Sequence, residues 1–199
     1  AVAVTFRSPE EGGRPDASLR VGTGATDAER FHYLSLATSL RAAYVDVELS
    51  TVRRSPAAWK QLRAARMGER PRFILSFHDF EGTPPFEQLR ALRREAEEAG
   101  ADVVKLALTA RNILDTQPLL RLLLETTWER PLIGLAMGEA GFWTRVLGPV
   151  LPHAGPFAFA RGEGAPGTAP GQITWRDLAE LYRFPRLAPG HPVYGALGY

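Results

Sequence analysis

Lys105 is the residue whose placement first calls for a chemical explanation. The chain holds 24 Lys+Arg, of which only Lys60 and Lys105 are lysines and the other 22 are arginines. Arginine stays protonated in proteins, so a lysine kept in such a chain points to a place where a free amine is wanted. Lys105 sits within the apolar run 103–108. An amine in a packed interior loses hydration, which favours its neutral, nucleophilic form. His78 lies just past a second apolar run, Asp46 and Glu48 lie within a third, and Arg7 follows a fourth. A desolvated lysine with a histidine and carboxylates nearby is the equipment for imine (Schiff-base) chemistry on a carbonyl substrate. The competing reading is structural: a lysine can snorkel from a strand end, and Asp46 or Glu48 can form an internal ion pair with Lys105 or Arg7.

Elements of a regular kind must position these groups. Apolar runs at 2–6, 44–49, 73–77, 103–108, 132–137 and 157–159 recur, after the first gap, at roughly 30 residues, the size of a strand–helix unit. Between them the spacing predicts helices over 27–41, 57–67, 86–99, 112–128, 142–151 and 175–182. Asp27 reads as the N-cap of the first, with Phe31, Leu34, Leu36 and Leu40 at helical spacing. Ser55-Pro56 reads as an N-cap followed by proline at the first helical position, and Gly100 as a helix stop. Alternation of this kind predicts a parallel sheet with right-handed crossovers.

Side-chain parity separates a barrel from an open sheet. Val2, Val4 and Phe6 oppose Ala3, Thr5 and Arg7; Val45, Val47 and Leu49 oppose Asp46, Glu48 and Ser50. Phe73, Leu75 and Phe77 oppose Ile74, Ser76 and His78; Val104, Leu106 and Leu108 oppose Val103, Lys105 and Ala107. A parallel strand covered by helices on both sides is apolar on both faces. Four successive strands with one bulky face and one small or ionisable face instead predict a (β/α) barrel, with the second faces converging on its interior.

Composition narrows the rest. With 199 residues, 45% hydrophobic and 23% charged, the chain reads as a folded globular domain. No cysteine is present, which excludes a disulfide framework, a Cys-ligated zinc site and a thiol nucleophile. The sequence pI is 9.2, yet a net charge of +2 with mixed signs is no footprint for nucleic acid. No apolar stretch is long enough to span a bilayer, and a cytoplasmic location is the expectation. His32, His153 and His191 fit no motif and no His-rich cluster exists, so no metal is expected, and no organic cofactor is expected because a lysine imine supplies the electrophile itself.

Six motifs together resemble type I 3-dehydroquinate dehydratase. They are Thr5-Phe6-Arg7-Ser8 with Glu11-Gly12-Gly13, Asp46-Val47-Glu48-Leu49, and Ser76-Phe77-His78-Asp79-Phe80 with Thr83-Pro84. The others are Ala101 to Ala107 around Lys105, Met137-Gly138 through Gly141 to Thr144-Arg145, and Ala169-Pro170-Gly171-Gln172-Ile173. The resemblance implies a (β/α)8 TIM barrel over residues 1–183 and the shikimate-pathway dehydration of 3-dehydroquinate to 3-dehydroshikimate. By it, Lys105 forms the imine, His78 is the acid–base group and Glu11 orients His78. Arg145 takes the substrate carboxylate, Gln172 and Thr168 bind from a closing loop at 162–171, Arg7, Glu48 and Asp46 line the polar end, and Met137 packs beside the imine. A homodimer is the assembly common in the family.

The motifs begin at what corresponds to the family's third strand, so two strand–helix units, including a Glu-x-Arg segment, are expected to be absent here. Residues 184–199 read as a Pro/Gly-rich tail, and Pro192 to Gly198 resembles the opening of a shikimate dehydrogenase, fused behind this enzyme in some organisms. The alternatives are an inactive fragment of that enzyme, or a different lysine-imine enzyme such as an aldolase on the same barrel.

Overall fold

The computed structural model describes residues 3–11, 26–125, 127–148, 151, 160–164 and 171–187. Five strands follow one another in the sheet in chain order: β1 (Ala3–Thr5), β2 (Tyr44–Glu48), β3 (Arg72–His78), β4 (Val103–Thr109) and β5 (Leu132–Met137). The α-helices are α1 (Asp27–Ser39), α2 (Leu49–Arg54), α3 (Pro56–Ala64), α4 (Phe86–Glu98), α5 (Gln117–Leu124) and α6 (Trp143–Leu147). The chain divides into two compact units, residues 1–79 with 90–107, and residues 80–89 with 108–199.

In the first unit β1 to β4 pair in parallel, and their register decides which side chains share a face. Thr5 stands opposite Asp46, Asp46 opposite Ile74, and Ile74 opposite Val103. One step further along, Glu48, Ser76 and Lys105 form the next row. Residues paired in a parallel ladder point the same way, so the polar parity read from the sequence holds across these strands. The opposite face is apolar: Val45, Val47, Phe73, Leu75, Val104 and Leu106 are buried. Helix α3 covers it, with Trp59 set edge-on to Phe73 at 5.1 Å and its indole N–H donating to Ala99 O.

Helix α1 differs from its sequence reading in two respects. The N-cap is Thr26, whose hydroxyl accepts from Glu29 N while Glu29 Oε2 accepts from Thr26 N, a reciprocal capping box. Asp27 is the first helical residue, and its carboxylate pairs with Arg30 and Arg54. The buried stripe is Arg30, Phe31, Leu34, Ala37 and Thr38, which leaves Leu36 and Leu40 exposed. Two polar residues on the inward stripe disguise it, because a hydrophobic pattern assigns them to solvent.

In the second unit the stretch predicted as one helix over 112–128 is two elements. A tight turn, Ile113–Thr116, is capped by Asn112 in a box with Asp115, and α5 starts beyond it with proline in its first turn. Leu119, Leu122 and Leu123 are buried, whereas Ile113 and Leu114 are exposed. Helix α6 ends at Leu147, and the last predicted helix contains a wider π turn at Asp177–Leu181. Arg161 pairs in parallel with Thr174 as an isolated bridge. The predicted strand at 157–159 and the tail strand at 193–197 lie outside the described residues, as do Thr168 and most of the tail.

Candidate active site

The polar face of β1 to β4 in the first unit gathers a charged cluster in the interior. Lys105 is 3% exposed, and its Nζ donates to Asp46 Oδ2 at 2.9 Å. Ser76, on the strand between them, donates to the other oxygen, Asp46 Oδ1, at 2.6 Å. Arg7, just past the end of β1, reaches 3.8 Å from Asp46 Oδ2. One carboxylate thus faces two cations and a hydroxyl. Burial opposes ionisation of Asp46, but Lys105, Arg7 and Ser76 outweigh it and hold its carboxyl below the usual carboxylate range. Burial also drives the Lys105 ammonium below its ordinary value; Asp46 resists that shift and the Arg7 charge assists it. The sequence reading of a desolvated amine and that of an internal ion pair therefore describe the same lysine.

His78 closes β3, and its Nδ1 lies 2.9 Å from Glu11 Oε2. Glu11 ends the single turn Pro9–Glu11, and Ser50 in the first turn of α2 donates to its other oxygen. Burial lowers the imidazole pKa, the Glu11 carboxylate opposes that, and the charges of Lys105 and Arg7 reinforce it. A neutral imidazole with Nδ1–H pointed at a carboxylate leaves Nε2 as the basic nitrogen. The described residues include no cluster of three or more His, Cys, Asp or Glu able to hold a metal ion.

Glu48 lies in the same row as Lys105, but its carboxylate is committed elsewhere. It accepts from Arg30, from Thr51 at 3.0 Å and from the backbone N–H of Ser8 at 2.6 Å. Arg30 also donates to Phe6 O at 3.1 Å and to Thr51. This buried pair fixes the segment after β1, and Ser8 O in turn accepts from Glu11 N. Of the residues singled out in the sequence, this unit brings together Arg7, Glu11, Asp46, His78 and Lys105. Arg30 and Ser50 were missed. The only signal for Arg30 was its Asp27 neighbour three residues back, and Ser50 had been placed on the inward face of β2 with no role.

The second unit holds Met137, Arg145 and Gln172. Met137 ends β5 and is buried. Gly138 follows at φ +90 because a side chain there would strike Ala110 O, and Gly171 at φ +73 lies against Gly138 O. This backbone contact places Gln172 next to the turn after β5. Gly141 packs on Ala136, and the Thr144 hydroxyl accepts from Ala136 N and donates to Gly141 O, which seats Arg145 beside that turn. Arg145 is 3% exposed, burial pushes its guanidinium pKa down, and no carboxylate among the described residues pairs with it. Its Nε has no hydrogen-bond partner among them. A guanidinium is chemically suited to pair with a carboxylate or another anion. No helix among the described residues is long and apolar enough to cross a membrane.

Residues 2–188 match the family model for type I 3-dehydroquinase. The chain is 33% identical over 197 residues to the bifunctional 3-dehydroquinate dehydratase/shikimate dehydrogenase of Arabidopsis thaliana, a match covering 98% of this chain and 30% of that protein. It is 36% identical to the 3-dehydroquinate dehydratase of Thermococcus gammatolerans, over 89% of this chain and 74% of that enzyme. The crystal structure of 3-dehydroquinate dehydratase from Geobacillus kaustophilus superposes with a TM-score of 0.74 at 30% identity, covering 91% of this chain and 66% of that one. The parallel α/β sheet is that of the TIM-barrel-like fold these enzymes share, with five strands among the described residues. With residues 2–188 of its 199 matched by the family model, the chain belongs to the type I 3-dehydroquinase family.

Proposed function

We propose that the chain catalyses the dehydration of 3-dehydroquinate to 3-dehydroshikimate through an imine on Lys105. The observation that carries this reading is the buried Lys105, lowered in pKa yet held by Asp46, in one cluster with the His78–Glu11 pair. The neutral amine adds to the C3 carbonyl and expels water as the iminium forms. The iminium withdraws electrons from C2, so a neutral histidine suffices to take a C2 proton. The resulting enamine pushes out the C1 hydroxyl, which leaves as water with the proton that His78 returns. Hydrolysis of the iminium by water then frees the product and the Lys105 amine, so the net change is the loss of one water. Glu11 supports the transient imidazolium, and Asp46 supports the cationic nitrogen of Lys105.

Arg145 is assigned the substrate carboxylate; a buried guanidinium with no ion-pair partner among the described residues supports that role. Arg7, whose Nε has no hydrogen-bond partner among the described residues, is assigned the polar end of the substrate, with Gln172, Thr168 and Met137 completing the contacts. Glu48 acts through the segment it anchors, since its carboxylate is occupied by Arg30 and Ser8. The match with the Arabidopsis protein extends over 98% of the chain, which supports reading residues 184–199 as the link toward a dehydrogenase-like segment.

Turnover tests the reading. The purified chain should convert 3-dehydroquinate to the conjugated enone product, read by ultraviolet absorbance. Lys105→Ala should abolish conversion, and Lys60→Ala should leave it nearly unchanged. Retained conversion in Lys105→Ala overturns the mechanism, whereas iminium formation without product supports the inactive-fragment alternative.

A further inference from the structure

We propose that Ser50 is a positioning residue for the Glu11–His78 pair: its hydroxyl holds one oxygen of the Glu11 carboxylate so that the other faces the imidazole. Glu11 Oε1 accepts from Ser50 Oγ, and Glu11 Oε2 lies 2.9 Å from His78 Nδ1. The two donors come from different elements. Ser50 belongs to the first turn of α2, directly after the strand that carries Asp46 and Glu48, while His78 closes β3.

The orientation is unusual for a serine in that position. A serine in a helix's first turn ordinarily hydrogen-bonds its own backbone. Ser50 instead reaches a carboxylate 39 residues away in sequence, and among the described residues its hydroxyl donates to no other group. The terminal torsion of a glutamate is broad, so one contact alone leaves the carboxylate free to turn about its axis. A second donor from a separate element removes that freedom.

The same contact sets how strongly Glu11 acts on His78. Among the described residues, the charged groups that face His78 include Glu11 from the turn after β1, Lys105 from β4, Arg7 from the end of β1 and Asp46 from β2. Glu11 in turn lies within the field of Arg53 on α2. A hydrogen bond donated to Oε1 draws negative charge away from the oxygen that faces the imidazole. Without it, a buried carboxylate leans on His78 alone, and the protonated imidazole gains stability. Ser50 thus keeps His78 neutral over the range in which it must accept a proton. The catalytic consequence rests on His78 as the base of the proposed reaction; the titration of His78 does not.

The test is a 15N NMR titration of histidine-labelled protein. Four histidines make the spectrum simple, and His78→Gln assigns the relevant resonances. Ser50→Ala is expected to raise the His78 pKa by roughly half a unit or more, and to move the acid limb of kcat/KM for 3-dehydroquinate upward by a similar amount. Ser50→Thr, which keeps the hydroxyl, should restore both. In a Glu11→Gln background, adding Ser50→Ala should change neither. A His78 pKa unchanged or lower in Ser50→Ala overturns the proposal, as does an equal shift in the Glu11→Gln background. A shifted titration in a protein that does not turn over 3-dehydroquinate supports the positioning role and removes the proposed reaction instead.

Discussion

Asp46→Asn preserves side-chain shape and the hydrogen bond from Ser76 while removing a charge that faces both Lys105 and Arg7. At the observed 2.9 Å, the attraction between Asp46 and Lys105 is about 6 kcal/mol at an effective dielectric of about 20. Desolvation offsets part of it, so breaking such a pair costs about 3–5 kcal/mol net. A lysine, unlike an arginine, can relieve the loss by shedding its proton. The folded variant then holds a neutral amine while the unfolded chain keeps an ammonium up to about pH 10. With more protons bound in the unfolded state, stability rises with pH by up to about 1.4 kcal/mol per unit. In the parent protein burial lowers the Lys105 pKa but Asp46 opposes the shift, so the same rise begins at higher pH. The penalty of Asp46→Asn is therefore largest near about pH 6 and shrinks toward about pH 9. Urea unfolding at a series of pH values reads it directly, and adding Lys105→Met should recover most of the loss and remove its pH dependence. An equal penalty at both ends of the series, or no recovery with Lys105→Met, would refute the reasoning.

Three further outcomes follow from the same geometry. His78 has a folded pKa depressed by burial, so the unfolded chain takes up the proton first; stability should fall as pH drops below about 6.5, by up to about 1.4 kcal/mol per unit. His78→Gln should flatten that limb in a pH series of urea midpoints, and a variant with the full slope contradicts the assignment. Glu48→Gln strips the buried Arg30 of its principal carboxylate and should cost about 3 kcal/mol. Because arginine cannot deprotonate, this loss should stay level with pH, which distinguishes it from Asp46→Asn in the same assay. Gly138→Ala puts a Cβ 2.6 Å from Ala110 O at φ +90 and should cost about 2 kcal/mol, a Tm drop of about 4 °C or more; an unchanged Tm contradicts the close approach.

Much of the frame was legible because strand parity has a fixed period of two. Asp46, Ser76, His78 and Lys105 could be assigned to one face from sequence alone, and the register confirms that their strands align. What parity does not specify is which polar group meets which. Glu48 shares a row with Lys105 yet turns to Arg30, because a buried guanidinium on α1, which cannot shed its charge, needs a carboxylate beside it. Arg30 itself was hidden, since a single arginine on an inward helical stripe looks like solvent-facing polarity. Ser50 was hidden for a related reason: its partner Glu11 lies 39 residues away, beyond any local pattern. The helix expected over 112–128 failed through cap chemistry, as Asn112 and Asp115 close a separate turn before α5 starts at Gln117, with Pro118 in its first turn.

Covalent trapping on Lys105 tests the central claim most directly. The chain is incubated with 3-dehydroquinate, reduced with borohydride, digested and mapped by mass spectrometry. The account predicts one reduced adduct on the peptide containing Lys105, lost in Lys105→Ala and retained in Lys60→Ala. Absence of an adduct, or an adduct on Lys60, would contradict it.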